Sequence, residues 1–355
     1  MSKKQIEIFA PIMAVLTALI IGGIIIQLNG VNPLAAYGQL FKSAFYQANP
    51  KAPFMSGLAK TLLTATPMIF AGLAVMMAFK AGLFNIGGQG QMIMGGLAAA
   101  VVGIYVKNVL FGNFVVAIIA AGIAGFLWAA IAGLLKAKFG VHEVISTIML
   151  NYIAINLQNY LLNYQIKDPA SQNVQTMKVW EPARLFLLAP GTKQKLNFGF
   201  ILAIIAVIIV WYFFKKTKQG YEMTAVGLNS TAAENAGIKI KRNIILAMGL
   251  AGMLAGIGGA ERVLGGSAQY TYTELIMGEL GFTGVAVALL GKSNPIGVFV
   301  AAIFYASLEI GGQSLQSMKI AKEVVYIIQA LIIIFVAGEN LFRYILAKKK
   351  GGKKQ

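Results

Sequence analysis

Long uncharged apolar runs dominate this chain and leave it few folds to choose from. Several of them, including Ile8–Leu28, Phe114–Leu135 and Phe198–Phe214, approach the roughly 20 residues an α-helix needs to cross the hydrocarbon core of a bilayer. Helices apolar on every side have to be buried all round, and 355 residues cannot supply a soluble core large enough for so many. Charged residues make up only 12% of the chain, against about 25% in ordinary soluble domains. The mean hydropathy is +0.73. The expected fold is therefore all-α, a polytopic transmembrane helical bundle in which 1–355 forms a single transmembrane domain.

The same patterning excludes several classes of function. A net charge of +18 suggests nucleic acid, but the bases gather at the ends of apolar runs instead of on a surface rich in stacking aromatics. With no cysteine there is no disulfide framework and no Cys-based metal or redox site. The single histidine, His142, cannot build a His metal site or a proton relay alone, and no Ser-His-Asp set is present. Gly291-Lys292-Ser293 resembles the end of a phosphate-binding loop, but Ala286 stands where the motif needs its first glycine, and no strand precedes it. Gly88-Gln89-Gly90 likewise fails as a dinucleotide fingerprint, because Ile93 occupies the third glycine position. No cofactor site is expected on this chain. If transport is ATP-driven, ATP and Mg²⁺ belong to another subunit.

Ten spans are expected, at about 8–28, 58–79, 87–106, 112–135, 143–164, 197–214, 244–264, 275–291, 295–312 and 323–345. The third, fifth, eighth and ninth are polar or broken by glycine. The N-terminal run is too long for a signal peptide and has no small-residue cleavage site, so it reads as an uncleaved first span. The basic clusters at 215–218, 239–242 and 343–354 all fall on one side of such a layout, which places both termini in the cytoplasm of a plasma-membrane protein. Asn32-Pro33 is suited to start a short helix with Leu34, Tyr37, Phe41, Ala44 and Phe45 on one face, either lying on the outer interface or packed as a loop helix. The segment 165–196 is the largest outer loop and 215–243 the largest inner one.

Four groups of residues carry candidate roles. First, Ala81–Gln91 puts glycines and the amides of Asn85, Gln89 and Gln91 where a membrane helix should be apolar. Unwound backbone at that depth either forms a solute site or makes a tight re-entrant turn, and both readings stay open. Second, the fifth span sets Glu143, Thr147 and Asn151 on one stripe, with Tyr152, Asn156 and Asn159 on the next. Glu279 and Glu309 should face a cavity or a partner, because an unpaired charge in mid-membrane is costly. Asn85, Gln89, Gln91, Asn151, Tyr152, Asn156, Glu279 and Glu309 are thus the candidates for a translocation path, while Glu261–Arg262 is expected at the interface. Third, Gly249, Gly252, Gly256 and Gly259 share one face of the seventh span, for close packing inside the subunit or at a dimer seam. Fourth, Asn229 or Ser230 can cap a short helix running to Asn235, and Gly237 can end it.

Three motifs are similar to a known family. They are "GLFNIGGQGQ" at 82–91, "HEVISTIMLNYIA" at 142–154 and "VGLNSTAAENAGI" at 226–238. Together they resemble permease subunits of ABC-type importers in the ribose/branched-chain-amino-acid superfamily, and within it the nucleoside-type branch. The resemblance implies the importer fold and a second homologous permease, paired with this chain in a heterodimer. It also implies an ABC ATPase docked on the inner loop and an extracytoplasmic substrate-binding lipoprotein. On this resemblance Gly227, Asn229, Ala232, Ala233, Glu234 and Gly237 form the element that couples to the ATPase. Gln89 stands where the family pattern expects an acid, and Lys80 where it expects arginine, so no role requiring a carboxylate at 89 carries over. The expected function is the membrane subunit of an ATP-driven nucleoside importer. The alternatives are a permease for ribose or another simple sugar, or an ion-coupled secondary transporter. A membrane-embedded enzyme is disfavoured by the scarcity of acids. No nucleic-acid partner is expected beside the lipid bilayer and these proteins.

Overall fold

The computed structural model describes residues 3–46, 55–107, 112–188 and 195–338. The first helices are α1 (Lys3–Leu28), α2 (Pro33–Phe45), α3 (Ser56–Lys80), α4 (Gly88–Tyr105), α5 (Asn113–Phe139) and α6 (Glu143–Tyr164). Then follow α7 (Gly199–Lys216), α8 (Lys218–Leu228), α9 (Ser230–Asn235), α10 (Ile240–Leu264), α11 (Leu280–Leu290), α12 (Pro295–Leu315) and α13 (Lys322–Ala337). Among the described residues no β-strand forms, only isolated bridges such as Lys167 with Thr176 and Gln175 with Thr273.

Each of the ten expected spans contains a helix, but the helices are unequal. Five are long and apolar enough to cross a membrane by length and composition: Ser56–Lys80, Asn113–Phe139, Gly199–Lys216, Ile240–Leu264 and Pro295–Met318. The pair Ile12–Leu28 and Pro33–Phe45, bent by 114°, makes a sixth if it is one span. The expected 275–291 span contains only the 11-residue α11. At ~1.5 Å per residue that is about half of the ~30 Å hydrocarbon core. A turn at Gly278, with φ +49°, separates it from the non-helical 265–277 stretch. The tenth span is helical through Ala337, and 339–345, with the basic tail at 343–354, lies outside the described residues.

Two compact units divide the chain at 61/62 and 303/304. In the first, α1 has the inverted pattern of a membrane helix. Ala14, Ala18 and Gly22 are buried, while Ile12, Leu16, Ile20 and Ile24 point outward. Lipid tails are as apolar as leucine, so large side chains gain nothing by facing protein, and small ones allow helices to approach closely. Gly22 accordingly lies against Ile328 of α13 and Tyr37 of α2. The Tyr37 hydroxyl donates to the Leu19 carbonyl at 2.6 Å. Helix α2 starts as expected, with the Asn32 side chain accepting from the backbone amides of Leu34 and Ala35 and Pro33 in the first turn. Its buried face, however, is Ala36, Leu40, Ser43 and Ala44. Leu34 and Phe41 of the expected apolar face are exposed.

The second unit is organised around α10, which packs along both α5 and α4. Gly252 faces the Gly125 backbone and Ala129 of α5, Gly256 faces Ala121 and Gly125 of α5, and Gly259 faces the Met92 backbone of α4. Gly249 seats the Phe126 ring. Helix α5 answers with Ala121, Gly122, Gly125, Ala129, Ala132 and Gly133 on its buried side, and turns Ile119, Ile123, Leu127 and Ile131 outward. The most apolar 18-residue window of α10 is 67% buried, against 28% for α5 and 22% for α7, so α10 is central and the other two are peripheral.

The neighbours of Gly252 include backbone, so a larger residue there must drive α10 and α5 apart. Gly252→Val should destabilise the protein by roughly 1–3 kcal/mol. It should visibly lower the melting midpoint in detergent. Gly38→Ala, in an exposed position of α2 where nothing lies within 4 Å of the added carbon, should not lower the midpoint and should raise it slightly through the better helix propensity of alanine.

Candidate functional site

The most constrained polar cluster lies where α3 hands over to α4. Helix α3 ends in a Schellman turn. Gly82, at φ +72°, donates to the Phe79 carbonyl, and Leu83 N–H donates to that of Ala78. Five residues later α4 begins, with Gly87 as a cap that has no capping side chain of its own. The exposed backbone groups of such a break need partners inside the protein. They find them in three buried amides. Asn85 and Gln91 pair reciprocally, Asn85 Nδ2 to Gln91 Oε1 at 3.1 Å and Gln91 Nε2 to Asn85 Oδ1 at 3.0 Å. Asn85 Oδ1 also accepts from Gly87 N–H at 2.9 Å.

Asn151 of α6 closes the cluster by bridging the break. Its Oδ1 accepts from Gly90 N–H at 2.8 Å, and its Nδ2 donates to the Ile86 carbonyl at 3.0 Å. A Cβ on Gly90 would lie 2.9 Å from Asn151 Oδ1, so glycine there is what lets α6 come this near. Asn85, Gln91 and Asn151 are all buried. Their hydrogen-bonding groups are used within the fold, and the first turn of α4 has part of its cap supplied by another helix.

The other path candidates lie elsewhere. Tyr152 and Asn156 face outward from α6, and Asn156 Nδ2 bonds only the Tyr152 carbonyl of its own helix, at 2.8 Å. The two stripes on α6 thus separate: Glu143, Thr147 and Asn151 are buried, while Tyr152 and Asn156 are exposed. Gln89 points away from the amide cluster, and its Nε2 donates to the Gly278 carbonyl at 3.0 Å, beside exposed Glu279. A Cβ on Gly88 would lie 3.2 Å from the Gly281 carbonyl oxygen, so the N-terminal ends of α4 and α11 meet backbone to backbone. Glu309 is half-buried on α12, in the first unit.

Glu261, expected at the interface, lies three residues from the end of α10, where it is buried and accepts from Asn197 Nδ2 at 3.0 Å, because Asn197 reaches it from the start of α7. Arg262 donates to the Ile276 carbonyl at 3.1 Å. Lys136 and Glu143 form an ion pair at 2.9 Å where α5 gives way to α6, and His142 caps α6 through the Val144 N–H.

A second buried network escaped sequence reasoning. The Tyr272 hydroxyl donates to Gln158 Oε1 at 2.6 Å, and Gln158 Nε2 donates to the Glu274 carbonyl at 3.0 Å. Thr176 N–H donates to the Tyr272 carbonyl at 3.0 Å, and Tyr272 N–H donates to Thr176 Oγ1 at 3.0 Å. The 165–188 stretch is thereby tied to 265–276. Arg184 and Lys195 both stack on the Tyr270 ring, at 4.6 and 5.2 Å. Polar residues spread over more than a hundred positions, with no local motif, offered no signal of this.

The short helix of the 215–243 segment is present. Asn229 Oδ1 accepts from Ala232 N–H at 3.0 Å. Gly237, at φ +80°, donates to the Glu234 carbonyl, and Ile238 donates to that of Ala233, a second Schellman turn. Of α9 only Ala233 is buried, leaving Ala232 and Glu234 outward, with Leu228 beside them 82% exposed. Helix α8 before it was not foreseen. It is anchored by buried Met223 and Val226 and by Gln219 Nε2 donating to Asn243 Oδ1 at 2.6 Å.

Residues 57–337 match the family described as branched-chain amino acid transport system / permease component. The chain is 36% identical to the guanosine ABC transporter permease protein NupP of Bacillus subtilis, over 99% of each chain. It is 34% identical to the nucleoside ABC transporter permease protein NupB of Lactococcus lactis, over 99% of this chain and 97% of that one. It is 33% identical to the glucose ABC transporter permease protein TsgB13 of Haloferax volcanii, over 94% and 88% respectively.

Asn151→Ala would strand the Gly90 N–H and the Ile86 carbonyl, each unsatisfied buried group costing about 1–3 kcal/mol. The melting midpoint in detergent should fall clearly. Asn156→Ala, which removes an exposed bond within one helix, should leave it within error of the parent.

Proposed function

We propose that this chain, which belongs to the branched-chain amino acid transport system / permease component family, is the membrane-spanning permease of an ATP-driven nucleoside importer. It is an integral membrane transport component and not an enzyme, working with ATPase and substrate-binding partners as permeases of ABC transporters do. The observation carrying the nucleoside reading is the 36% identity, over 99% of both chains, to a permease named for guanosine transport. The similarity to a glucose permease, 33% over 94% of this chain, favours a simple sugar as the second reading.

The layout that goes with this function has 1–355 as one permease domain of about ten spans in the plasma membrane, with both termini cytoplasmic. The 165–196 segment lies outside, where a substrate-binding lipoprotein delivers solute. The 215–243 segment lies inside, and Gly227, Asn229, Ala232, Ala233, Glu234 and Gly237 build the element on which the ATPase sits. ATP and Mg²⁺ are held by that ATPase. A second, homologous permease completes a heterodimer. The translocation path is assigned to the polar groups Gln89, Tyr152, Asn156 and Glu279. Asn85, Gln91 and Asn151 shape the path by holding the break.

Labelled guanosine, uridine and glucose offered to cells with and without the partner subunits test this reading. Guanosine or uridine uptake should require the partners and survive an uncoupler while ATP is maintained. Glucose uptake with no nucleoside uptake would transfer the assignment to the sugar reading, and uptake by this chain alone that collapses with the ion gradient would sink it. Leu228→Asp, on the exposed rim of α9, should abolish co-purification of the ATPase without lowering the melting midpoint.

A further inference from the structure

Gly227 sits in the last turn of α8, one residue before Leu228 and two before the Asn229 cap of α9. A Cβ there would collide with the Lys80 carbonyl oxygen, and would come within 2.7 Å of Gly82 N and 2.8 Å of the Ala81 carbonyl carbon. The contact is mutual, since a Cβ on Gly82 would lie 3.0 Å from Gly227 Cα. Every one of these neighbours is backbone. The end of α8 is therefore pressed, main chain on main chain, against the turn that closes α3.

What lies on each side of this contact gives it a consequence. On one side is α9, exposed except for Ala233 and joined to α8 through the single extended residue Asn229. On the other is the segment running from Gly82 into the Asn85–Gln91–Asn151 cluster, which binds the break to both α4 and α6. Leu83 is buried and Asn85 follows two residues later, so little chain is free to absorb a shift between them. A contact between side chains would absorb a small displacement by changing rotamers. Main chain against main chain has no such freedom and passes the displacement on.

We infer that the Gly82–Gly227 contact is the link through which α9 moves the broken segment, making these two glycines positioning residues that couple ATP hydrolysis to transport. This rests on the reading of α9 as the ATPase-docking element. Binding of solute and docking of the ATPase do not need the link. Only their connection does, so wedging the contact open should separate two activities that otherwise run together. Coupling between sites of this kind is typically worth roughly 5–150-fold.

The test uses the full transporter, with its ATPase, second permease and binding protein, in proteoliposomes. ATP hydrolysis and uptake of the labelled nucleoside carried by the wild type are measured together. Gly227→Ala, within the docking element itself, should reduce uptake about tenfold or more. Gly82→Asn is the second variant: asparagine tolerates the left-handed backbone at φ +72°, yet still places a Cβ against Gly227. Gly82 lies outside the docking element, so this variant should assemble with the ATPase and hydrolyse ATP near the wild-type rate with uptake reduced about tenfold or more, and it decides the matter alone if Gly227→Ala fails to assemble. Gly140→Asn is the control, at φ +68° with nothing within 4 Å of the added carbon, and should transport normally. Wild-type uptake per ATP in Gly227→Ala and Gly82→Asn would overturn the link, as would equal uncoupling in Gly140→Asn. Wild-type vesicles taking up nucleoside without ATP would overturn the parent reading and this one with it.

Discussion

How closely α10 can approach α4 and α5 sets the geometry of everything around it. In a bilayer, apolar side chains are no better off against protein than against lipid, so helices are held by contact at short range and not by hiding grease. Gly252, Gly256 and Gly259 bring α10 onto the backbones of Gly125, Ala121 and Met92, and Gly95 of α4 meets Gly256 in turn. With α10 seated, α4 is enclosed by protein over most of its length. That enclosure lets a helix begin with glycines and amides at a depth where lipid would not accept them. The large side chains displaced from these seams cover the outer faces of α5 and α7, and the bilayer takes the place of a solvent there.

The break before α4 depends on this enclosure, and it is held by an economical set of bonds. Asn151 satisfies a carbonyl on one side of it and an amide on the other, while Asn85 and Gln91 satisfy each other. Buried amides with every strong group engaged give a rigid junction, because loosening any one strands its partner. The polar groups left facing outward are on the far side of α4 and along the next stripe of α6. Rigid support and wet surface are thus carried by neighbouring residues of the same motifs.

Much of this was legible in the sequence, and particular residues show how far. Asn32-Pro33 announced α2, and Asn229 with Gly237 bracketed α9, because capping is a local matter of one side chain and the amides two or three residues on. The fifth span was placed at 143–164, where α6 lies, and the glycines at 249, 252, 256 and 259 were recognised as one packing face. The break was located at 81–91 from residue types that do not belong in lipid. Helical periodicity grouped Leu34 and Phe41 on one face of α2, but it says which residues lie together and not which side meets protein, and in the structure both are exposed. Span eight was overextended, because 275–279, which precede α11 with a turn at Gly278, were averaged into an apolar window. Nothing near Glu261 in sequence reveals its partner Asn197.

The sequence by itself determined that the chain is a helical membrane protein, where α2 starts and where α9 starts and stops, and which family motifs it carries. These follow from hydropathy, capping and residue order, all of which act within a few residues. Tertiary structure alone decided that Asn85, Gln91 and Asn151 serve the break from within, that Tyr272 joins Gln158 and Thr176, and that Gly227 rests on Gly82. A hydrogen bond or a backbone contact is settled by distances of a few tenths of an ångström between residues far apart in the chain. Such distances exist only once the helices have packed.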